Sequence, residues 1–130
     1  MAIVKGILVN DGGAPARIIN FTAGEAISAG MVVKASDATA GEVLKATESG
    51  ASPAGVALTD AASGDQCSVI TGSGSVCYIL CQNVGLGALL MTDESGTAGY
   101  LDVRGADSDA DFAVTLENNS GAGLTKCLIL

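Results

Sequence analysis

Residues 66–81, QCSVITGSGSVCYILC, contain the pattern that decides the fold. Two short runs of β-forming residues, 66–70 and 75–81, are bounded by Gly and Ser. Such runs, in which apolar residues recur with a period close to two, are typical of half-buried β-strands. The glycines between the two runs permit a tight turn. This stretch therefore predicts two consecutive strands.

The same pattern continues in both directions along the chain. Further runs of β-forming residues lie at 31–34, 42–45, 54–58, 88–91, 100–103, 112–116 and 126–130. Clusters of turn-forming residues occur at 36–41, 48–53 and 93–99. Many short strands at a spacing of about ten residues are typical of sandwiches and barrels. We therefore predict an all-β fold, a small β-sandwich or barrel of short strands.

The two halves of the chain resemble each other. Four segments align in the same order: 27–33 with 84–90, 37–44 with 94–102, 55–60 with 113–118, and 67–70 with 127–130. The offset between them drifts from 57 to 60 residues. Differences in loop length would cause such a drift. We interpret residues 21–130 as a single β-rich domain with a pseudo-repeat at about 21–75 and 80–130.

The first twenty residues fall outside this repeat. Apolar side chains are concentrated at residues 3–9, a turn-forming segment follows at 10–15, and Arg17 and Ile18 come next. The segment is too apolar to be solvated freely, so we expect it to bind to another surface. We interpret residues 1–20 as an extended N-terminal arm. An additional strand of the same core is the alternative.

The composition excludes several classes of function. The 130 residues include no His and six Lys or Arg, and the formal net charge is −8. Without His, neither a Ser-His-Asp or Cys-His nucleophile nor a His-ligated metal or haem site can form. Six scattered basic residues cannot form a phosphate-binding patch, so we expect no nucleic-acid partner. No apolar stretch approaches the ~20 residues that span a bilayer, so we expect no membrane partner.

The four cysteines do not match the spacing of metal or redox motifs. They are Cys67, Cys77, Cys81 and Cys127. In a cytoplasmic product, such residues act as small buried apolar side chains. A disulfide is the alternative interpretation, and its pairing stays open.

The acidic residues provide two further candidates for chemistry. Asp107, Asp109 and Asp111 have the opening spacing of a calcium-binding loop, but Phe112 stands where that loop requires Gly. A pair of carboxylates could serve a hydrolase, but the acids lie in turn clusters, where they usually face solvent. We therefore predict no catalytic residue, no cofactor, no metal site and no enzymatic activity. A small calcium-binding module or a carboxylate-dependent hydrolase remains as an alternative.

Three segments carry a resemblance to a known family. They are AISAGMVVK at residues 26–34, VLKA at 43–46 and PAGVALTDAASGD at 53–65. In this order the segments resemble the small capsid decoration (cement) proteins of tailed bacteriophages and the related small β-proteins of prophages. The resemblance covers roughly residues 22 to 103.

The resemblance implies a structural role on the virion. Decoration proteins assemble as trimers on the outer surface of the phage head, where they clamp neighbouring major capsid subunits. The implied partners are the major capsid protein and further copies of the chain. The implied place of synthesis is the host cytoplasm. On this interpretation the arm contacts the capsid or a neighbouring subunit through Ile3, Val4, Ile7, Val9, Arg17 and Ile18. A tail or minor capsid β-module is the alternative within the virion.

Overall fold

The computed structural model describes residues 17–46, 53–82, 85–87, 89–92, 99–103, 112–118 and 121–130. These residues form ten β-strands and no helix. The prediction of an all-β fold is therefore confirmed. None of the described residues belongs to a helix that is long and apolar enough to cross a membrane.

The first five strands close into one barrel. They are β1 (Ile18–Ala23), β2 (Val32–Ala35), β3 (Glu42–Lys45), β4 (Pro53–Ala57) and β5 (Gln66–Ile70). Around the barrel they follow the order β1-β3-β2-β4-β5, and β5 pairs with β1 to close it. β1 and β3 run parallel, and every other neighbouring pair is antiparallel.

The remaining described strands close into a second barrel of the same design. They are β6 (Val76–Cys81), β7 (Leu89–Thr92), β8 (Leu101–Val103), β9 (Ala113–Thr115) and β10 (Gly123–Ile129). Their order, β6-β8-β7-β9-β10, repeats that of the first barrel strand for strand. β6 and β8 form the parallel pair, in the position that β1 and β3 occupy in the first barrel. The two barrels are therefore structural repeats of each other.

The pairing register is also repeated. Ala23 pairs with Val43 in the first barrel, and Cys81 pairs with Leu101 in the second, each 58 positions further along the chain. Strands β2 and β7 are related by 57 positions instead of 58. The connection between β6 and β7 is one residue shorter than the connection between β1 and β2. The offset returns to 58 at β3 and β8, because the next connection is one residue longer in the second repeat. The two repeats therefore differ in length on both sides of the second strand.

One part of the sequence alignment between the halves is wrong. Cys67 pairs with Phe21 in the first barrel, and the equivalent pair in the second is Thr125 with Ile79. Cys67 therefore corresponds to Thr125, and not to Cys127. The sequence alignment of this segment was shifted by two positions. Because side chains alternate along a strand, a shift of two keeps each residue on the same side, and the apolar pattern still matches.

Strand β1 begins inside the segment that was predicted to be an arm. Its pairs with β5 start at Ile18 with Ile70 and continue through Thr22 with Gln66. The predicted arm of residues 1–20 therefore overlaps β1 by three residues. Residues 1–16 lie outside the described part of the chain.

Small apolar side chains fill the first barrel. Its interior cluster consists of Ala23, Ile27, Val33, Val43, Ala57, Ala61, Cys67 and Val69. A closed sheet of five strands encloses a narrow space, because barrel diameter grows with the number of strands. Residues of this size fit the interior, whereas several aromatic rings would not. The low aromatic content of the chain, 3%, is consistent with this geometry.

Residues 55–65, which contain part of the sequence resemblance, close one end of the first barrel. The Asp60 Oδ1 atom accepts a hydrogen bond of 2.7 Å from the N–H of Ala29. Ala61 and Ile27 exchange two backbone hydrogen bonds, each 2.8 Å long, and both side chains are buried. This motif therefore holds the segment before β2 against the end of the barrel.

Backbone hydrogen bonds join the two barrels. The Leu80 N–H, in β6, donates to the Gly30 carbonyl at 2.8 Å. Gly99, just before β8, accepts a bond of 2.8 Å from the Val32 N–H and donates one of 2.9 Å to the Ala46 carbonyl. These bonds fix the second barrel against β2 and its surroundings.

Apolar side chains from both barrels pack at the same junction. Val32, Val56 and Ile70 are cross-strand neighbours and form one row over β2, β4 and β5. All three are fully buried, and they belong to one apolar cluster with second-barrel residues that include Tyr78 and Ile79. Burying each such side chain contributes about 1.5–3 kcal/mol. The junction is therefore a major source of stability.

Gly55, in β4, packs closely against the backbone of the neighbouring strand β5. A Cβ atom there would overlap the Ile70 carbonyl oxygen, which belongs to the neighbouring strand β5. We expect Gly55→Ala to lower the free energy of unfolding by about 3 kcal/mol, because the backbone must shift. Gly41→Ala is the matched control. A Cβ atom added at Gly41 meets open space, so this substitution costs only about 1–2 kcal/mol, which comes from the left-handed backbone at φ +74°. Urea unfolding measures both, and equal losses would contradict this account of the β4–β5 contact.

Candidate binding surface

Large apolar side chains that remain exposed are the first guide to a binding surface. Among the described residues they are Ile18, Ile19, Leu86, Leu89, Leu116, Leu124 and Leu130. Leu124 lies against the first barrel, because a Cβ atom on Gly30 would lie 2.5 Å from its Cδ2. The others fall into two groups.

The first group, which we call the linker surface, consists of Arg17, Ile18, Ile19 and Leu130. The Arg17 carbonyl accepts a bond of 2.9 Å from the N–H of Thr71, so β1 begins beside the segment 71–75 that connects the barrels. Leu130 lies beside the same segment, because the Ser73 hydroxyl donates to its carbonyl at 3.1 Å. Two of the predicted contact residues, Arg17 and Ile18, are therefore exposed on this surface.

The other predicted contact residues lie outside the described part of the chain. They are Ile3, Val4, Ile7 and Val9. They precede Arg17 in the sequence, with residues 10–16 in between. Their role stays a prediction.

The second group lies on the second barrel and was not predicted from the sequence. Leu89 pairs with Val114, and Val114 pairs with Leu128, so the three side chains form a row over β7, β9 and β10. Leu116 continues this row, because it lies two residues after Val114 on the same side of the chain. Leu86 lies in a turn beside Thr115, since the Gly87 N–H donates to the Thr115 carbonyl and the Gly85 carbonyl accepts from the Thr115 hydroxyl. We call Leu86, Leu89, Val114, Leu116 and Leu128 the second-barrel apolar face.

This face combines apolar character with exposure. Leu86 is 66% exposed, Leu116 is 43% exposed and Leu89 is 36% exposed, while Val114 and Leu128 are half-buried. None of the five residues carries a charge, although Lys126 lies on the same side of β10 as Leu128 and opposite Leu116. Exposed apolar side chains grouped on one face are typical of an interaction site.

The cysteines lie in the barrel interiors and not on either surface. All four are free and buried, as expected of small apolar side chains. The Sγ atoms of Cys81 and Cys127 lie 3.9 Å apart inside the second barrel, too far for a disulfide bond. The hydrogen bond to Cys81, together with burial, raises the pKa of Cys127. Burial, with a smaller contribution from Cys81, raises the pKa of Cys77 to about 12. Thiols held in this protonated form are poor nucleophiles.

The described residues do not bring a metal-binding cluster together. No group of three or more Cys, Asp or Glu side chains in this part of the chain could hold an ion. The Asp107, Asp109 and Asp111 motif lies outside the described residues, so a calcium site there is not tested. The expectation that the chain is not an enzyme also stays a prediction.

No protein-family model and no curated protein matches the sequence. Two solved bacteriophage structures share the fold. One is the N base of the head fibre protein gp8.5 of bacteriophage phi29, with a TM-score of 0.69 and 19% identity over 89% of this chain and 95% of that chain. The other comes from the capsid of Myoviridae phage XM1, with a TM-score of 0.59 and 15% identity over 98% of this chain and 93% of that chain. At this identity the likeness establishes a common fold with phage head and capsid components.

The raised pKa of Cys77 predicts a loss of stability in alkaline solution. Between pH ~8.5, where an exposed thiol ionises, and pH 12, the unfolded chain releases a proton that the folded chain retains. The contribution of Cys77 to stability is therefore complete below pH ~8.5 and falls by about 1.4 kcal/mol per pH unit between that pH and pH 12. Urea unfolding at pH 8 and pH 10 measures the loss. Cys77→Ala should show a shallower pH dependence than the unsubstituted chain, and an identical dependence would contradict the assignment.

Proposed function

We propose that this chain is a non-enzymatic head decoration protein of a bacteriophage. It binds the outer surface of the capsid as a trimer and stabilises the shell. The observation that carries this proposal is the fold shared with a phage head fibre base and with a component of a phage capsid over 89% and 98% of the chain. The resemblance of residues 26–34 and 53–65 to decoration proteins supports it independently.

The chemistry of the surface supports the same role. A shell-binding protein requires complementary surfaces repeated by symmetry and no catalytic group. The chain offers the linker surface, where Ile18 and Ile19 are exposed at the start of β1. Weak binding at each site becomes strong when three linked copies bind three equivalent sites, because the second and third contacts are intramolecular.

Cryo-electron microscopy of particles of the phage that encodes this chain tests the location. We expect two-barrel density in a regular array at the local three-fold positions of the outer head surface. Particles that lack the gene serve as the control and should lack this density. Two-barrel density at the tail alone would contradict the proposal and favour a tail module.

The arm is the proposed capsid contact, and the fold defines how to remove it. Because β1 begins at Ile18, deletion of residues 2–16 leaves every described strand intact. We expect the truncated chain to retain its melting temperature and to lose binding to heads that lack the protein, measured by co-sedimentation. Undiminished binding would refute the role of Ile3, Val4, Ile7 and Val9.

The comparison with the phi29 protein favours a second candidate function, the base of a head fibre. That structure is described as the N base of a head fibre, and this chain covers 95% of it. The same cryo-electron microscopy distinguishes the two functions. A fibre projecting from the two-barrel density would support the base, and density that ends at the barrels would support decoration.

A further inference from the structure

The second-barrel apolar face is the counterpart of a face that is covered within the fold. In the first barrel, Val32, Val56 and Ile70 form a row over β2, β4 and β5, and this row is fully buried against the second barrel. The equivalent strands β7, β9 and β10 carry a second apolar row with the same pairing. Leu89, at one end of this second row, stays exposed among the described residues, so the face has room for a covering segment.

The N-terminal part of the chain joins the fold beside this second row. Residues 1–16 connect to Arg17, which is hydrogen-bonded to the segment between the two barrels. In that segment the Gly74 N–H donates to the Ile129 carbonyl, at the end of β10, at 2.7 Å. Leu128, the β10 member of the row, directly precedes Ile129. The N-terminal segment, residues 1–16, is therefore attached next to one end of the face.

The N-terminal segment is long enough to cover the face. Residues 10–16 span up to about 23 Å when extended, at ~3.3 Å per residue. The three strands that carry the row lie within about 10 Å of one another, because neighbouring strands are ~4.8 Å apart. Residues 3–9, of which five are apolar, can therefore reach the row.

The charges of the N-terminal segment also match the face. Lys126 lies on the face beside Leu128, and Asp11 follows the apolar residues of the segment closely enough to pair with it. The side-chain charges of residues 1–16, Lys5 and Asp11, cancel each other. No net repulsion therefore opposes this occupant, whereas a second copy of the chain would bring a net charge of −8.

We propose that in the free protein residues 3–9 pack on the second-barrel apolar face of the same chain. Attachment favours a contact within one chain, because a tethered segment is present at its own site at an effective concentration on the order of millimolar. The contact uses side chains, since the described strands leave no free edge to which a further strand could add. It removes the apolar side chains of the segment from water.

This contact goes beyond the proposed function and does not depend on it. If the arm also binds the capsid, the shell and the face compete for the same apolar side chains. The contact joins one short segment to the outside of a closed barrel, so it opens at a lower free energy than the strands unfold. It is therefore lost on heating before the barrels melt, and it leaves the melting temperature unchanged.

Cross-linking within one chain tests the contact. The native thiols are buried, so a short bismaleimide should react only with introduced cysteines. We expect the variant Ile7→Cys, Leu89→Cys to form at least fivefold more intrachain link than Ile7→Cys, Ser63→Cys. Mass spectrometry of the monomer, cross-linked at low protein concentration, measures both yields. Equal yields would overturn the proposal.

Ser63 is the matched control because the segment can reach it. It is exposed, and its hydroxyl donates to the carbonyl of Gly24, at the opposite end of β1 from Arg17. The six residues of β1 span about 20 Å, and residues 8–16 span up to about 30 Å. A difference in yield therefore reports packing on the face and not the length of the tether.

Trypsin cleavage after Lys5 provides a second measurement that requires no introduced thiol. The face variant, Leu89→Asn with Leu116→Asn, should be cleaved there at least threefold faster, because it offers less apolar surface to the segment. Both positions are exposed, so this variant should keep its melting temperature. Leu130→Asn is the matched control on the linker surface and should leave the rate unchanged. Faster cleavage in Leu130→Asn alone would place the segment on the linker surface and overturn the proposal.

Binding to heads separates this contact from the proposed function. The face variant should bind heads that lack the protein at least as tightly as the unsubstituted chain, because its N-terminal segment is free to bind the shell. A face variant that no longer bound heads would place the face itself on the shell and overturn the proposal. Failure of the unsubstituted chain to bind heads would refute the proposed function, while a preferred link between positions 7 and 89 would still support the contact.

Discussion

The structure depends on the burial of one apolar row, Val32, Val56 and Ile70, between the two barrels. A closed five-stranded barrel has a narrow interior, and Val, Ala and Cys occupy most of it here. Such an interior buries only a modest apolar area in each barrel. The outer row adds area that neither barrel could bury alone, at about 25 cal/mol for each Å². Each barrel is therefore stable in the presence of the other, and the pair is the structural unit.

The duplication explains how one fold produces two kinds of surface. The register of the first and last strands repeats at 58 positions, so equivalent residues hold the same place in each barrel but face different surroundings. On the outer face of the first strand, Asn20 and Thr22 meet solvent, while their counterparts Tyr78 and Leu80 face the neighbouring barrel. The chain retains apolar residues where a barrel packs and polar residues where none does. The row of Leu89, Val114 and Leu128 on the second barrel departs from this rule, since it is apolar and only partly buried.

Much of the fold was predictable from the sequence, and much of the candidate surface was not. Strands β2 to β10 each overlap a predicted run, because alternation with a period of two survives in short segments. The first three residues of β1 were assigned to the arm, although Asn20 and Thr22 alternate with the more apolar Phe21 and Ala23. The exposure of Leu89 could not be predicted, since Val32 has the same pattern and is fully buried. Only packing between barrels distinguishes these two residues.

Closure of the barrels also limits how the chain can bind. A free edge strand offers unpaired N–H and C=O groups to any extended segment, and proteins packed densely on a surface would associate through such edges. In the described part of the chain every strand has a neighbour on both sides, so this route is closed. Contacts between copies must then use side chains, and an N-terminal segment that binds by strand addition must find its edge on another protein. On the proposed function, association of copies through side chains and attachment to the capsid through the arm would therefore use separate surfaces.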